Sequence, residues 1–293
     1  MKRVINILCL GILLTAVACS EETPNIPPFV GSGEEALETG FFEDFTESTV
    51  DATKWAICPA NQYANWKKFM GQIPLESYVP VDGVLSLQAV SPAEYGQPAT
   101  NAPFCMGLQT MKPSGLVLYA FRYGEVTVRA RFPSTGDGAW PAIWLMPVDE
   151  NSTTWPEAGE IDIMEHYNSE AWIEHAVHYT RQGGGNASKS AKVIASTAGL
   201  SLSEYNIYGV RKTPGKLEWT VNGEVTFTVT QAQVEADGGI WPFESRDYYI
   251  IINQSCAPMQ SYGGNAWRAS WLPSFDVLPY EMSVDWVRVV EEE

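Results

Sequence analysis

Between about residues 41 and 290 the chain repeatedly alternates apolar and polar positions with a period of two, the pattern of strands that bury one face. Val126, Val128, Ala130 and Phe132 fall on one side of such a run, and Glu125, Thr127, Arg129 and Arg131 on the other. Leu85, Leu87 and Ala89 alternate with Ser86 and Gln88 in the same way. Leu217-Glu218-Trp219-Thr220-Val221 meets Asn222-Gly223 and continues as Glu224-Val225-Thr226-Phe227. Asn-Gly between alternating runs predicts a tight hairpin, because both residues tolerate positive φ. Residues 248–253 and 282–289 read as two further strands. No long amphipathic helix, glycine-rich phosphate loop or repeat of fixed period interrupts the pattern. The expected fold is all-β: a jelly-roll sandwich in one body, with a substrate groove across its concave sheet.

One run departs from simple alternation. In Gly159-Glu160-Ile161-Asp162-Ile163-Met164-Glu165-His166, Glu160 and Asp162 share one face of a strand and Ile161 and Ile163 the other. Strict alternation would drive Glu165 into the core, where a lone carboxylate is costly. One extra residue at Ile163 or Met164, a β-bulge, returns Glu165 to the face of Glu160 and Asp162. Three acids then line one groove. Such a motif on an edge strand can be no more than a solvated face, but here it is set in apolar residues with tryptophans on both sides. A retaining glycosidase needs two carboxyl groups roughly 5–5.5 Å apart. Glu160 and Glu165, about four strand steps apart, can close to that separation by leaning toward each other. Asp162 between them can hydrogen-bond one partner and help keep the other protonated.

Charge narrows the partners. The net charge is −17, with no visible basic patch, so no nucleic-acid partner is expected and a neutral polymer fits without penalty. A highly sulfated polymer would need local basic residues that the sequence does not point to. The 11 tryptophans and 13 tyrosines are many; most are expected to fill a β-sheet core, and a minority to serve as flat platforms for sugar rings. Metal-assisted hydrolysis is disfavoured, because no HExxH or carboxylate–histidine ligand spacing is present.

The N-terminal segment reads as an address. Lys2 and Arg3 precede an apolar run over residues 5–18, too short to span a bilayer comfortably. It ends in Thr15-Ala16-Val17-Ala18-Cys19, which resembles a bacterial lipobox. Residues 1–18 are then a signal peptide, 19–40 a lipidated Cys19 with a flexible tether, and 41–293 the catalytic domain. The expected location is the cell envelope: the outer membrane, facing outward, with lipid as the sole membrane contact. Cys58, Cys105 and Cys256 remain, enough for one disulfide and one spare thiol. With no CxxC pair, neither a zinc site nor a redox site is expected. The domain is expected to be a monomer.

Glu160-Ile161-Asp162-Ile163-Met164-Glu165 resembles the signature of glycoside hydrolase family 16, in the bulge-containing form of laminarinases and agarases. Upstream, Tyr123-Gly124 with Val126-Thr127-Val128-Arg129-Ala130, and then Trp140-Pro141-Ala142-Ile143-Trp144-Leu145-Met146-Pro147, are similar to the strands that precede that family's active site. Trp155-Pro156-Glu157-Ala158-Gly159 leads into the motif in the same style. Asp82-Gly83-Val84-Leu85 resembles an early strand and Val284-Asp285-Trp286-Val287-Arg288-Val289 the closing one. The resemblance implies a retaining double displacement with Glu160 as nucleophile, Glu165 as acid/base and Asp162 as helper. It places Trp140, Trp144, Trp155 and His178 near the substrate. It implies no cofactor for catalysis, and a structural calcium ion away from the groove, with Asp285 and the backbone at Gly83 in matching positions. His166 and His175 are expected to be structural.

The implied substrate is a β-1,3-glucan or a mixed-linkage β-1,3/1,4-glucan, cut internally. A β-galactan (agarose, porphyran or a host glycan with galactose repeats) is the alternative. The segment over residues 253–265 is longer and more polar than the corresponding stretch of laminarinases, and residues 88–107 form another long irregular stretch; both are expected to edge the groove and set linkage preference. A surface glycan-binding lipoprotein without turnover is the competing class, and an intact acid triad argues against it. Transglycosylases of the family usually have one residue fewer in the motif.

Overall fold

The computed structural model describes residues 40–61, 64–98, 103–150, 153–256 and 277–292. Cys19, the tether and most of the segment over residues 253–265 lie outside these residues. The chain forms β1 (Gly40–Glu43), β2 (Ala56–Ile57), β3 (Leu85–Val90), β4 (Phe104–Gln109), β5 (Gly124–Ser134) and β6 (Ala139–Pro147). It continues with β7 (Glu160–His166), β8 (Trp172–Thr180), β9 (Asn186–Ile194), β10 (Asn206–Thr213), β11 (Lys216–Val221) and β12 (Glu224–Thr230). A short helix α1 (Gln231–Ala236), β13 (Tyr248–Cys256) and β14 (Tyr280–Glu291) complete it. The helix starts on a capping box, with the Thr230 side chain on the Gln233 amide and the Gln233 side chain on the Thr230 amide.

All pairings between these strands are antiparallel, in the order β12-β11-β10-β5-β14-β3-β4-β13-β6-β7-β8-β9. The expected two sheets are thus halves of one path, joined where β3 and β4 pair through Ala89–Cys105 and Val90–Phe104. The alternating runs become strands as their patterns require. In β5 the even positions Val126, Val128 and Ala130 are wholly buried, while Glu125, Thr127, Arg129 and Arg131 stay partly exposed. Asn222 and Gly223 form the β11–β12 turn with φ of 52° and 84°, the double positive φ that Asn-Gly was expected to supply.

The main core lies between the halves. Val126, Val128, Leu85, Val287 and Val289 from one half pack with Ile143, Leu145, Ile161, Ile173, Val177 and Ile252 from the other. Full burial of side chains of this size is worth roughly 1.5–3 kcal/mol each, which makes this layer the main source of cohesion. A second apolar cluster lies on the outer face of the β4-β13-β6 region and includes Cys58, Met70, Trp144, Tyr249 and Ile251. Cys58, Cys105 and Cys256 are buried free thiols.

The implied calcium position is corrected by the structure. The Asp285 carboxylate is held by the Arg129 guanidinium, and Arg129 and Arg131 both lie against the Tyr205 ring, at 4.4 and 4.8 Å. A calcium ion would have to displace a guanidinium and enter beside a second one, so Asp285 does not fit the role. Gly83 sits in a turn with φ of 74°, close to the Asp44 carbonyl.

Candidate active site

Strand β7 enters the sheet through a tight passage. Gly159 has φ of 85°, and a Cβ there would lie 2.7 Å from the Phe243 and Pro242 side chains and 2.8 Å from the Tyr248 hydroxyl. Glycine is therefore needed both for the backbone angle and for the space. The Tyr248 hydroxyl donates to the Ala158 carbonyl at 3.0 Å and fixes the residue pair ahead of Glu160.

The expected bulge is present and falls at Ile163. On one side Asp162 faces Trp144 and Met164 faces Ile143, which leaves Ile163 unmatched. On the other side Asp162 faces Ala176 and Glu165 faces Glu174, three residues against two steps. Ile163 and Met164 are both buried, and Glu165 emerges on the face of Glu160. A bulge disrupts the ladder locally, and buried carbonyls need partners. Trp219 of β11, in the opposite half, donates its indole N–H to the Asp162 carbonyl at 2.8 Å. His175 places Nδ1 2.5 Å from the Ile163 carbonyl and Nε2 2.9 Å from the Thr226 hydroxyl. Burial pushes the His175 imidazole down to about 4, so it is neutral near pH 7, donating from Nδ1 and accepting at Nε2.

Each acid has its own surroundings. The Trp155 indole N–H donates to Glu160 Oε2 from a ring that is 42% exposed. Glu165 Oε1 accepts from Trp140 Nε1 at 2.8 Å, and the carboxyl also interacts with the Tyr167 hydroxyl. Asp162 is 2% exposed, and its Oδ2 lies 3.1 Å from His178 Nε2.

Burial raises the Asp162 carboxyl well above its ordinary range, and the charges of Glu160 and Glu165 add to the effect; His178 works against it. Burial also raises Glu165, opposed by its bonds from Trp140 and Tyr167. For His178, burial alone would lower the pKa, but the Asp162 bond and the neighbouring acids push it up to about 10. The cluster therefore holds protons to higher pH than free side chains would. Such a site can keep one carboxyl protonated beside an ionised one.

Glu160, Asp162 and His178 each put one ligand atom within 4.8 Å of the others, a spacing that could hold a metal ion. Glu160 Oε2 accepts from the Trp155 indole, and Asp162 Oδ2 lies against His178 Nε2.

The residues anticipated near the substrate divide into two groups. Trp140, Trp155 and His178 touch the acids directly. Trp144 sits opposite Asp162 across the β6–β7 ladder, but its indole N–H goes elsewhere: it is 6% exposed, donates to Asn253 Oδ1 at 2.8 Å, and packs edge-on against Trp66 at 4.6 Å. His166 binds the Trp172 carbonyl at 3.0 Å and stacks on Phe132. Tyr167, Trp219 and the bulge-holding role of His175 have no place in the motif and emerge only from the folded chain. A histidine on the core side of a strand beside a bulge is itself a signal, since a buried imidazole must find partners.

An antiparallel β-sandwich with three carboxylates brought to one face by a bulge, amid indoles and an imidazole, is a framework for glycosidic bond chemistry. The chain belongs to glycosyl hydrolases family 16, whose profile matches residues 108–286. It is 34% identical over 249 residues to a keratan-sulfate endo-1,4-beta-galactosidase of Sphingobacterium multivorum, covering 82% of this chain and 51% of that protein. It is 27% identical to glucan endo-1,3-beta-glucosidase A1 of Niallia circulans, covering 92% and 39%. The chain thus spans about half or less of the length of these two relatives. A chain solved in work on endo-acting O-glycanases, with which gut microbiota initiate mucin breakdown, superposes with a TM-score of 0.68 at 25% identity. That match covers 86% of this chain and 99% of the other.

Proposed function

We propose that the protein is a retaining endo-β-glycosidase in which Glu160 is the nucleophile, Glu165 the acid/base and Asp162 the helper. The observation that carries this reading is the bulge at Ile163, which sets Glu160 and Glu165 on one face opposite β8 residues four positions apart, His178 and Glu174. That is roughly 13 Å along the backbone, a span two glutamates can close over Asp162. Glu165, raised by burial, donates its proton to the leaving oxygen while Glu160 attacks the anomeric carbon. Water then releases the sugar, with Glu165 now taking the proton. Asp162 with His178 stabilises the protonation pattern, and the Trp155 indole N–H orients the nucleophile.

For the substrate, the 34% identical relative favours a β-linked galactose-repeat chain. The 27% identical glucosidase, matched over 92% of this chain, supports β-1,3- or mixed-linkage glucan as the second reading. The lipobox resemblance at Cys19 supports a lipid anchor and an outward-facing envelope location, and the domain acts as a monomer.

The test is product analysis on keratan, laminarin, barley β-glucan, agarose and porphyran, with Glu160→Gln as control. NMR of the first-formed reducing end reads the anomer. Oligosaccharides of retained configuration, absent in the control, are expected. Inverted products, or turnover by Glu160→Gln, would overturn the mechanism; the polymer that is cut decides the substrate.

A further inference from the structure

We infer that Lys192, seated on Trp172, forms a subsite for an anionic substituent on the sugar chain: a sulfate ester or a carboxylate. This inference rests on the glycosidase reading and names the substrate class more narrowly. Trp172 and His178 occupy same-face positions of β8, with Glu174 between them, and Glu174 is the cross-strand partner of both Glu165 and Lys192. Lys192 is therefore two strands from Glu165, roughly 10 Å away, about two sugar rings along a chain crossing the strands. The outward positions of β9 are Asn186, Ser188, Ser190, Lys192 and Ile194, all exposed.

The way Lys192 is held decides its use. Several basic side chains here are ion-paired: Lys54 with Glu43, Arg211 with Glu292, Lys216 with Glu218. On the same strand, Lys189 is tied to Asp237. Lys192 makes no ion pair among the described residues. Its ammonium lies 3.5 Å from the centre of the Trp172 ring. A carboxylate would neutralise the charge; an indole face fixes the position and leaves the charge in place. The indole is itself anchored, donating from Nε1 to Glu170 Oε2 at 3.0 Å.

Trp172 also closes an aromatic series that begins at the acid/base. Trp140, bound to Glu165, lies 5.8 Å from Tyr167, which lies 5.7 Å from Trp172. On the other side of the acids, Lys67 repeats the arrangement over Trp66 at 4.6 Å. A face that carries three acids repels an anionic chain, and a neutral chain has no use for fixed ammonium groups flanking them. An anionic chain needs such groups, because a charge-assisted hydrogen bond offsets the repulsion where the substituent lands.

The experiment measures binding and turnover separately. Glu160→Gln protein is titrated with keratan sulfate, its chemically desulfated form, a sialylated galactose-repeat chain, laminarin and sulfated laminarin. The titrations are repeated with Lys192→Gln and Lys189→Gln added. Lys189→Gln removes the same charge from the same strand. Tighter binding of an anionic chain than of its neutral counterpart is expected, by about five- to tenfold. That preference should be lost with Lys192→Gln, kept with Lys189→Gln, and weakened by salt. Sulfated against sialylated chains distinguish a sulfate from a carboxylate site. Equal binding of anionic and neutral chains, or equal loss of both with Lys192→Gln, overturns the subsite. If the parent protein cut none of these chains, nor barley β-glucan, agarose or porphyran, the glycosidase reading would instead be overturned, while the binding preference would still report on Lys192.

Discussion

Strands β5 and β7 are built from similar material and behave differently. The first eight residues of β5 alternate between buried and partly exposed without a break. It pairs with β10 in unbroken register over seven residues. β7 begins the same way, then spends two consecutive residues, Ile163 and Met164, on the core side. What distinguishes them is the support behind the backbone. The β5–β14 ladder shifts register between Glu281 and Ser283 and between Val284 and Trp286, yet the alternating burial of β5 survives, whereas β7 has Trp219 and His175 reaching to the Asp162 and Ile163 carbonyls. A regular strand follows from its own residues; an irregular one that presents acids depends on residues distant in sequence.

The contrast can be tested from its most severe consequence downward. Glu160→Gln and Glu165→Gln should each lower kcat by at least ~10³-fold with the folded state intact, measured by reducing-end assay beside circular dichroism. Turnover near that of the parent in either variant removes the assigned role. Asp162→Asn should cost less, about one to two orders of magnitude in kcat, and should shift the pH–rate profile, because Asp162 acts through its neighbours. An effect equal to that of the glutamates would make Asp162 a direct participant.

His175→Ala should destabilise the fold by roughly 2–4 kcal/mol in denaturant unfolding, by leaving the Ile163 carbonyl bare and opening a cavity. It should also lower kcat, although His175 touches no acid side chain; unchanged stability would refute the role in holding the bulge. The parent should carry a related pH dependence. With its pKa depressed to about 4 in the fold, His175 gives stability that is complete above the ordinary histidine pKa near 6.5. That stability is lost as pH falls from there toward 4, a loss of a few kcal/mol that should be absent in the variant. Smallest of all, Glu125→Gln on the partly exposed face of β5 should change stability by less than ~0.5 kcal/mol and leave kcat alone.

Much of this was legible in the residues themselves. β5, β3 and the Asn222-Gly223 hairpin are local patterns, and period-two burial makes them readable. The bulge was legible for a different reason: the cost of burying Glu165 forced it. Illegible were features that depend on which strands become neighbours. Nothing local to Trp219 says that its indole will cap a carbonyl 57 residues earlier. Nothing local to Asp285 reveals the Arg129 guanidinium that takes its carboxylate. Lys192 reads as one more surface lysine until β8 sets Trp172 beneath it. Charge balance counts charges without placing them, so it does not show a lysine held on an indole two strands from Glu165.

The end of the strand path has one more consequence. β9 closes one end of that order, so among the described residues an outer row of its backbone groups is not covered by a further strand of the ladder. Such an edge is a template on which another chain can add a strand, and proteins prevent that with charge and polarity. β9 has Lys189 and Lys192 along it, with Asn186, Ser188 and Ser190 between solvent and the sheet. Replacing Asn186, Ser188 and Ser190 with valines would leave the inward-facing side of β9 untouched, yet it should turn a dispersed protein into one that self-associates as its concentration rises.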